Sequence, residues 1–269
     1  MRTIIFLTFI LSSILLSYQD YDIDGVDDTI DKCPDTPFDK LVDQYGCPQD
    51  ESYRGLLTFI IGNDIYNDAE SEQINNINFY LNYTYYQWDL SVSNANYKIL
   101  ETTNPSLSDT GDIFISGGYT FQSDNIYTKL SLGVKIPTSD VDDNASLSIG
   151  TGEKDYFTSI NVNYLFNKRQ NLFLYYGYTL SGDTEYLDYE NTNYYSIGTG
   201  YALTNRWYSA LSYEYSNSIY LENDDYQAIS WFNNYNFSNS IFTSINYAYA
   251  LDENSYDHIF SIKLGVYFE

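Results

Sequence analysis

From Tyr53 to Phe268 apolar and polar side chains alternate in segments of about ten residues, and the breaks between segments are alternately short and long. Alternation with period two puts successive side chains on opposite faces of a strand. The closing segment is the clearest case. His258, Phe260, Ile262, Leu264, Val266 and Phe268 share one face, and Ser261, Lys263, Gly265 and Tyr267 share the other. The same pattern predicts about twelve strands, at 54–64, 74–85, 87–98, 111–122, 126–137, 155–166, 171–181, 193–203, 206–217, 227–237, 240–251 and 256–268. Tyrosine and tryptophan gather at the segment ends, where a membrane barrel carries its aromatic girdles. The expected fold is all-β: a transmembrane antiparallel up-and-down β-barrel of about 12 strands over residues 53–269, with its apolar face toward lipid.

Break length assigns direction. The short breaks near Tyr86, at Ser123 to Asn125, Asn167 to Arg169, Thr204-Asn205 and Ser238-Asn239 hold the asparagine and serine that favour tight turns. They read as periplasmic turns. The longer, acidic breaks, Asp64 to Gln73, Leu100 to Thr110, Thr138 to Lys154, Gly182 to Thr192 and Ser218 to Tyr226, read as extracellular loops. Both ends of the barrel then face the periplasm. Parity puts Leu130, Leu132, Val134 and Ile136 outward with Lys129, Ser131, Gly133 and Lys135 inward, and it makes most other inward positions serine, asparagine, glycine, alanine or threonine. Inward charges are expected chiefly at Asp89, Lys129, Lys135, Arg206, Glu214 and Lys263. Opposite charges in a narrow barrel either cross-link into a plug or form a selectivity constriction.

Composition narrows the partners. The chain holds 32 Tyr, 15 Phe and 3 Trp in 269 residues, and 12 Lys+Arg against 37 Asp+Glu give a net charge of −25. That balance disfavours nucleic acid and anionic lipid surfaces and favours divalent counter-ions. Beyond residue 17 no apolar run approaches the ~18 residues of a membrane helix, so any crossing is by strands.

The N-terminus reads as a signal peptide at 1–17, where one positive charge at Arg2 precedes the short apolar run Ile4 to Leu16. An acidic module follows at 18–52. Asp20, Asp22, Asp24, Asp28 and Asp31 occupy positions 1, 3, 5, 9 and 12 of a loop whose sixth residue is Gly25. With the carbonyl of Val26 at position 7, that spacing converges oxygens on one hard cation, expected to be Ca2+. Cys33 and Cys47 are the only cysteines, and an oxidising periplasm pairs them. The bland alternative is a solvated acidic linker, which has no need of glycine at one place and cysteine at two others. Together the aspartates, Cys33-Pro34 and Gly46-Cys47-Pro48 resemble a thrombospondin type 3 repeat in its bacterial form beside outer-membrane barrels. The resemblance covers about residues 20–50 and implies calcium ligation by Asp20, Asp22, Asp24, Val26, Asp28 and Asp31. Two departures stand out: Asp31 replaces a longer glutamate, and a single repeat stands where tandem copies are usual.

The run Leu130 to Asp140, followed by Gly150-Thr151-Gly152 and Asp155-Tyr156, resembles the transporter-like outer-membrane family associated with the meta pathway of phenol degradation. That resemblance implies passage of small organic solutes. The single histidine, His258, falls on the outer face of the last strand, and a twelve-stranded outer-membrane phospholipase is a related thought, but no serine motif accompanies it. No enzyme is expected. The expectation is a barrel in the outer membrane of a Gram-negative bacterium, its module in the periplasm, acting as a passive channel for small solutes. Its partners would be outer-membrane lipid and, through the near-terminal Phe268, the barrel-assembly machinery. A structural or adhesive barrel with a closed lumen is the alternative.

Overall fold

The computed structural model describes residues 26, 31–33, 42, 45–47, 55–67, 72–101, 107–138, 152–183, 189–219, 225–252 and 257–268. The signal segment and Asp20, Asp22, Asp24 and Asp28 lie outside them. The chain divides between Ser52 and Tyr53 into two units.

The second unit is twelve strands: β1 (Leu56–Asn67), β2 (Glu72–Tyr85), β3 (Trp88–Glu101), β4 (Leu107–Ser123), β5 (Ile126–Ile136), β6 (Asp155–Leu165), β7 (Gln170–Leu180), β8 (Thr192–Thr204), β9 (Trp207–Ser216), β10 (Tyr226–Asn236), β11 (Ile241–Ala250) and β12 (His258–Phe268). Each pairs antiparallel with the next. β12 returns to β1 in a register running from Leu57↔Phe268 to Asn67↔His258, so the sheet closes without an edge. Closure satisfies every ladder group internally, the condition for a strand protein in hydrocarbon.

Alternation becomes two faces. Outward run Phe59 and Ile61, then Ile77, Phe79 and Leu81, then Leu130 and Leu132, then Ile262 and Leu264, all exposed although apolar. Leu132 is 70% exposed. A water-soluble domain does not present an apolar belt on every strand, so this surface is the lipid face. At the end carrying the short turns the belt is bordered by Tyr83, Tyr85, Trp88, Phe121, Tyr164, Tyr201, Trp207 and Tyr235, each exposed. Tyr156, Tyr195 and Tyr249 border it at the opposite end.

The turns form for local reasons. The Asn167 side-chain oxygen accepts the backbone N–H of Arg169 at 2.8 Å and of Gln170 at 3.0 Å. The Ser238 hydroxyl oxygen does the same for Ser240 and Ile241 at 3.2 and 3.1 Å. These are the side-chain turns for which asparagine and serine are selected. Tyr86 and Asp124 start the β2–β3 and β4–β5 turns with φ of 54° and 43°. Aspartate accepts that conformation readily; tyrosine does so against a steric penalty.

Two expected loops are shorter than read. β1 continues to Asn67 and β2 starts at Glu72, and β3 continues to Glu101 while β4 starts at Leu107. The ladder outlasts the apolar alternation because backbone hydrogen bonding needs no hydrophobic pattern.

Candidate functional site

The inner wall holds the chemistry. Register places Asp64, Asp89, Asp112, Lys129, Lys135, Asp155, Glu214 and Lys263 on the inward parity of their strands, through pairs such as Gly62↔Lys263, Asp89↔Gly118, Lys135↔Asp155 and Ser196↔Glu214. Arg206 is a correction. It lies exposed in the β8–β9 turn, because β8 ends at Thr204 and the parity of β9 starts only at Trp207. Asp64, Asp112 and Asp155 are additions that the sequence reading passed over.

Among the described residues three ion pairs run along the wall, two between neighbouring strands and one across an intervening strand. Lys129 Nζ reaches Asp89 Oδ1 at 2.7 Å, from β5 to β3, across Gly118 of β4. A Cβ at Gly118 would stand 2.7 Å from Asp89 Oδ2 and 2.8 Å from Lys129 Cε, so glycine is what lets the pair lie flat. Lys135 sits between Asp155 Oδ2 at 2.5 Å and Asp112 Oδ2 at 3.5 Å, with all three side chains buried. The other oxygens of those carboxylates hold backbone beyond the strands. Asp112 Oδ1 accepts the Thr138 N–H at 3.2 Å and Asp155 Oδ1 accepts the Gly182 N–H at 3.0 Å. The cluster thus ties the β4–β5–β6 wall to the first residues of the β5–β6 and β7–β8 connections. Asp64 accepts Asn78 Nδ2 at 2.5 Å, linking β1 to β2.

The lumen is also more aromatic than parity suggested. Phe114, Phe157, Phe173, Tyr175, Tyr194, Tyr208, Phe232 and Phe242 carry inward parity. Several of these rings lie over glycines: Phe157 on Gly133, Phe173 on Gly198, Tyr208 on Gly200 and Phe242 on Gly265. Three of those are direct cross-strand partners. A ring laid on a glycine packs against backbone instead of projecting into the bore, which is the aromatic rescue of sheet glycines.

Two recesses open between these rings. The first, about 480 Å³, is lined by Phe114, Lys135, Asp155, Phe157, Tyr175 and Tyr194 among others. The second, about 420 Å³, holds Tyr208, Glu214, Phe232, Asn246, Ser261 and Lys263, and the two share Phe173 and Ser196. On the outer face the His258 ring is stacked on Tyr247, whose hydroxyl is 2.9 Å from Nδ1. Its hydrogen-bond partner is a girdle tyrosine, not a serine.

In the first unit Cys33 and Cys47 form a disulfide. The Lys32 N–H donates to the Tyr45 carbonyl at 2.8 Å and the Lys32 ammonium lies 3.5 Å from the Tyr45 ring centroid. Asp31 Oδ1 accepts the Cys33 N–H at 2.7 Å. Asp31 Oδ2 is buried and has no hydrogen-bond partner among the described residues.

No protein-family model matches the chain, and no curated protein does. Solved structures do match in fold. An outer-membrane channel from Pseudomonas putida F1 superimposes with a TM-score of 0.64 at 9% identity, over 82% of this chain and 100% of that one. The KdgM porin gives 0.56 at 6% identity and the NanC porin 0.55 at 12%, each over 79% of this chain and 99% of its own. The shared feature is the closed antiparallel β-barrel.

Proposed function

We propose that this barrel is a passive channel for small solutes in the bacterial outer membrane. The carrying observation is what the interior does not bury. Among the described residues the buried apolar side chains are Ala210, Ala228, Phe242, Ala248 and Ala250, and the largest fully buried side chain is Ser230. A barrel plugged by its own side chains would bury large groups, apolar or paired in charge, across its centre; here the buried ion-paired cluster, Lys135 with Asp112 and Asp155, joins adjacent strands. Here Phe114 faces inward and remains 41% exposed. The ion pairs run along the wall, and the Phe157, Phe173, Tyr208 and Phe242 rings rest on glycines, which holds those groups against the wall. The fold-level likeness to an outer-membrane channel and to two porins supports the same reading. Purified protein in a planar bilayer should give stepwise conductance. Its absence would favour the closed structural barrel instead. On this reading lipid surrounds the belt, the C-terminal strand ending at Phe268 is what the barrel-assembly machinery engages, and no catalysis is involved.

The module at 18–52 is proposed to bind Ca2+ in the periplasm, where the short turns put the start of β1. The unpartnered, buried Asp31 Oδ2 fits a ligand at position 12, because a carboxylate oxygen withdrawn from water needs a donor or a cation. Bound there, calcium would neutralise and gather the loop carboxylates. Limited proteolysis of 18–52 should accelerate on chelation and slow again when calcium is restored; identical cleavage with and without chelator would remove the assignment.

A further inference from the structure

We infer that the second recess is a binding site for small zwitterionic solutes, the chemical class of free amino acids, held between Glu214 and Lys263. The inference rests on the channel reading and specifies what the channel recognises. Both residues line one recess of about 420 Å³, within the range of small-molecule sites. Glu214 projects from β9 and Lys263 from β12, with β10 and β11 between them.

Within this recess the two are the charged side chains, one of each sign, and neither is in an ion pair among the described residues. Among the described residues the ion pairs take up Asp89, Asp112, Asp155, Lys129 and Lys135, and leave Glu214 and Lys263 out. The Glu214 carboxylate accepts hydrogen bonds from neutral groups, the Ser212 hydroxyl at 3.3 Å and the Tyr194 hydroxyl, and has no cation against it among the described residues. Lys263 rests its stem on Gly62, where a Cβ would stand 2.6 Å from the lysine Cγ, so a side chain there would push it off the wall. Both charges therefore stay available, one of each sign, within the same cavity.

Between them the lining is graded. Ser244, Asn246 and Ser261 offer hydroxyl and amide groups on the β11–β12 side, and Phe173, Tyr208 and Phe232 offer rings. A solute with an ammonium toward Glu214 and a carboxylate toward Lys263 would lay its carbon atoms against those rings. A single ion of either sign answers one wall charge and is repelled by the other, whereas an uncharged solute answers neither. Only a molecule carrying both signs is attracted at both ends without changing the net charge of the lumen.

The test uses the full chain in planar bilayers, with L-alanine at neutral pH as the zwitterion, propanediol as its uncharged counterpart, and propylammonium and propionate as the singly charged ones. Alanine should reduce conductance with a half-saturating concentration at least threefold lower than any of the other three. Glu214→Gln and Lys263→Met should each erase that preference, while the exchange of both, Glu214→Lys with Lys263→Glu, should restore it. The heat-dependent gel mobility of each variant confirms that its barrel is folded. Conducting wild type blocked equally by alanine and propanediol would overturn the site and leave the channel standing, as would single variants that keep the preference. No conductance at all would overturn both.

Discussion

Lys135 shows what a single side chain does in this wall. Its ammonium joins two buried carboxylates from two strands, so removing it leaves Asp112 and Asp155 facing each other without a counter-charge. Stranding buried charge costs about 3–5 kcal/mol. Lys135→Met should lower stability by that order in a urea titration of the folded barrel in detergent, and Asp155→Asn, which leaves Asp112 as partner, by less. Gly265 shows the opposite constraint, since any side chain there meets the Phe242 ring. Gly265→Val should cost roughly 1–3 kcal/mol by overpacking and, by swinging that ring off the wall, reduce single-channel conductance. Parity made Asp89, Lys129, Lys135, Glu214 and Lys263 legible in the sequence because each lies inside a clean alternating run. Asp64, Asp112 and Asp155 fall at or next to the ends of the expected strands 54–64, 111–122 and 155–166, where an aspartate looks like a loop residue, although β1 and β4 run on past the first two. The inward rings were hidden for another reason. A phenylalanine or tyrosine in such a chain reads as lipid-facing, and the sign that it is not, a glycine directly across the ladder, needs the register.

At the scale of the strand, the apolar half of each element decided the match between expectation and structure. β5, expected at 126–137, is Ile126–Ile136, and β6, expected at 155–166, is Asp155–Leu165. β1, β3 and β4 departed most, by three or four residues at the ends that carry the long loops. The lipid face gives the sharpest check. Leu132 lies in the middle of β5 with its side chain fully in the belt, and an arginine at the bilayer midplane costs about 2–4 kcal/mol. Leu132→Arg should therefore reduce the free energy of folding into lipid vesicles by that order. The same substitution at Ser131, one residue away on the inner face, should cost much less.

For the molecule as a whole, all three tryptophans point outward: Trp88 at 63%, Trp231 at 48% and Trp207 at 43% exposure. Even on that surface two indole N–H groups are satisfied, Trp207 by the Asn233 side-chain oxygen at 3.1 Å and Trp231 by the Ser209 hydroxyl at 3.0 Å. An indole with its donor occupied can rest in lipid without an open polar group. Fluorescence of the protein in vesicles should accordingly be quenched by phospholipids brominated on their acyl chains and little affected by aqueous iodide. The reverse would place the belt in water. What the whole-molecule pattern left hidden was occupancy of the bore, because alternation separates inside from outside without saying how long each inner side chain is or which way it leans.

The seam between β1 and β12 carries a consequence in time. Eleven partner positions, Leu57↔Phe268 through Asn67↔His258, join the first strand of the barrel to the last one synthesised. Until β12 has been made and reaches the membrane, one side of β1 has no permanent neighbour, and its row of N–H and C=O groups is open to any passing strand. Closure of the ring must then wait for β12, with the earlier strand edges kept from pairing wrongly until it arrives. The order of the sequence thus makes the last eleven strand residues the clasp, and a chain that lacked them would hold two raw edges where the complete one has none.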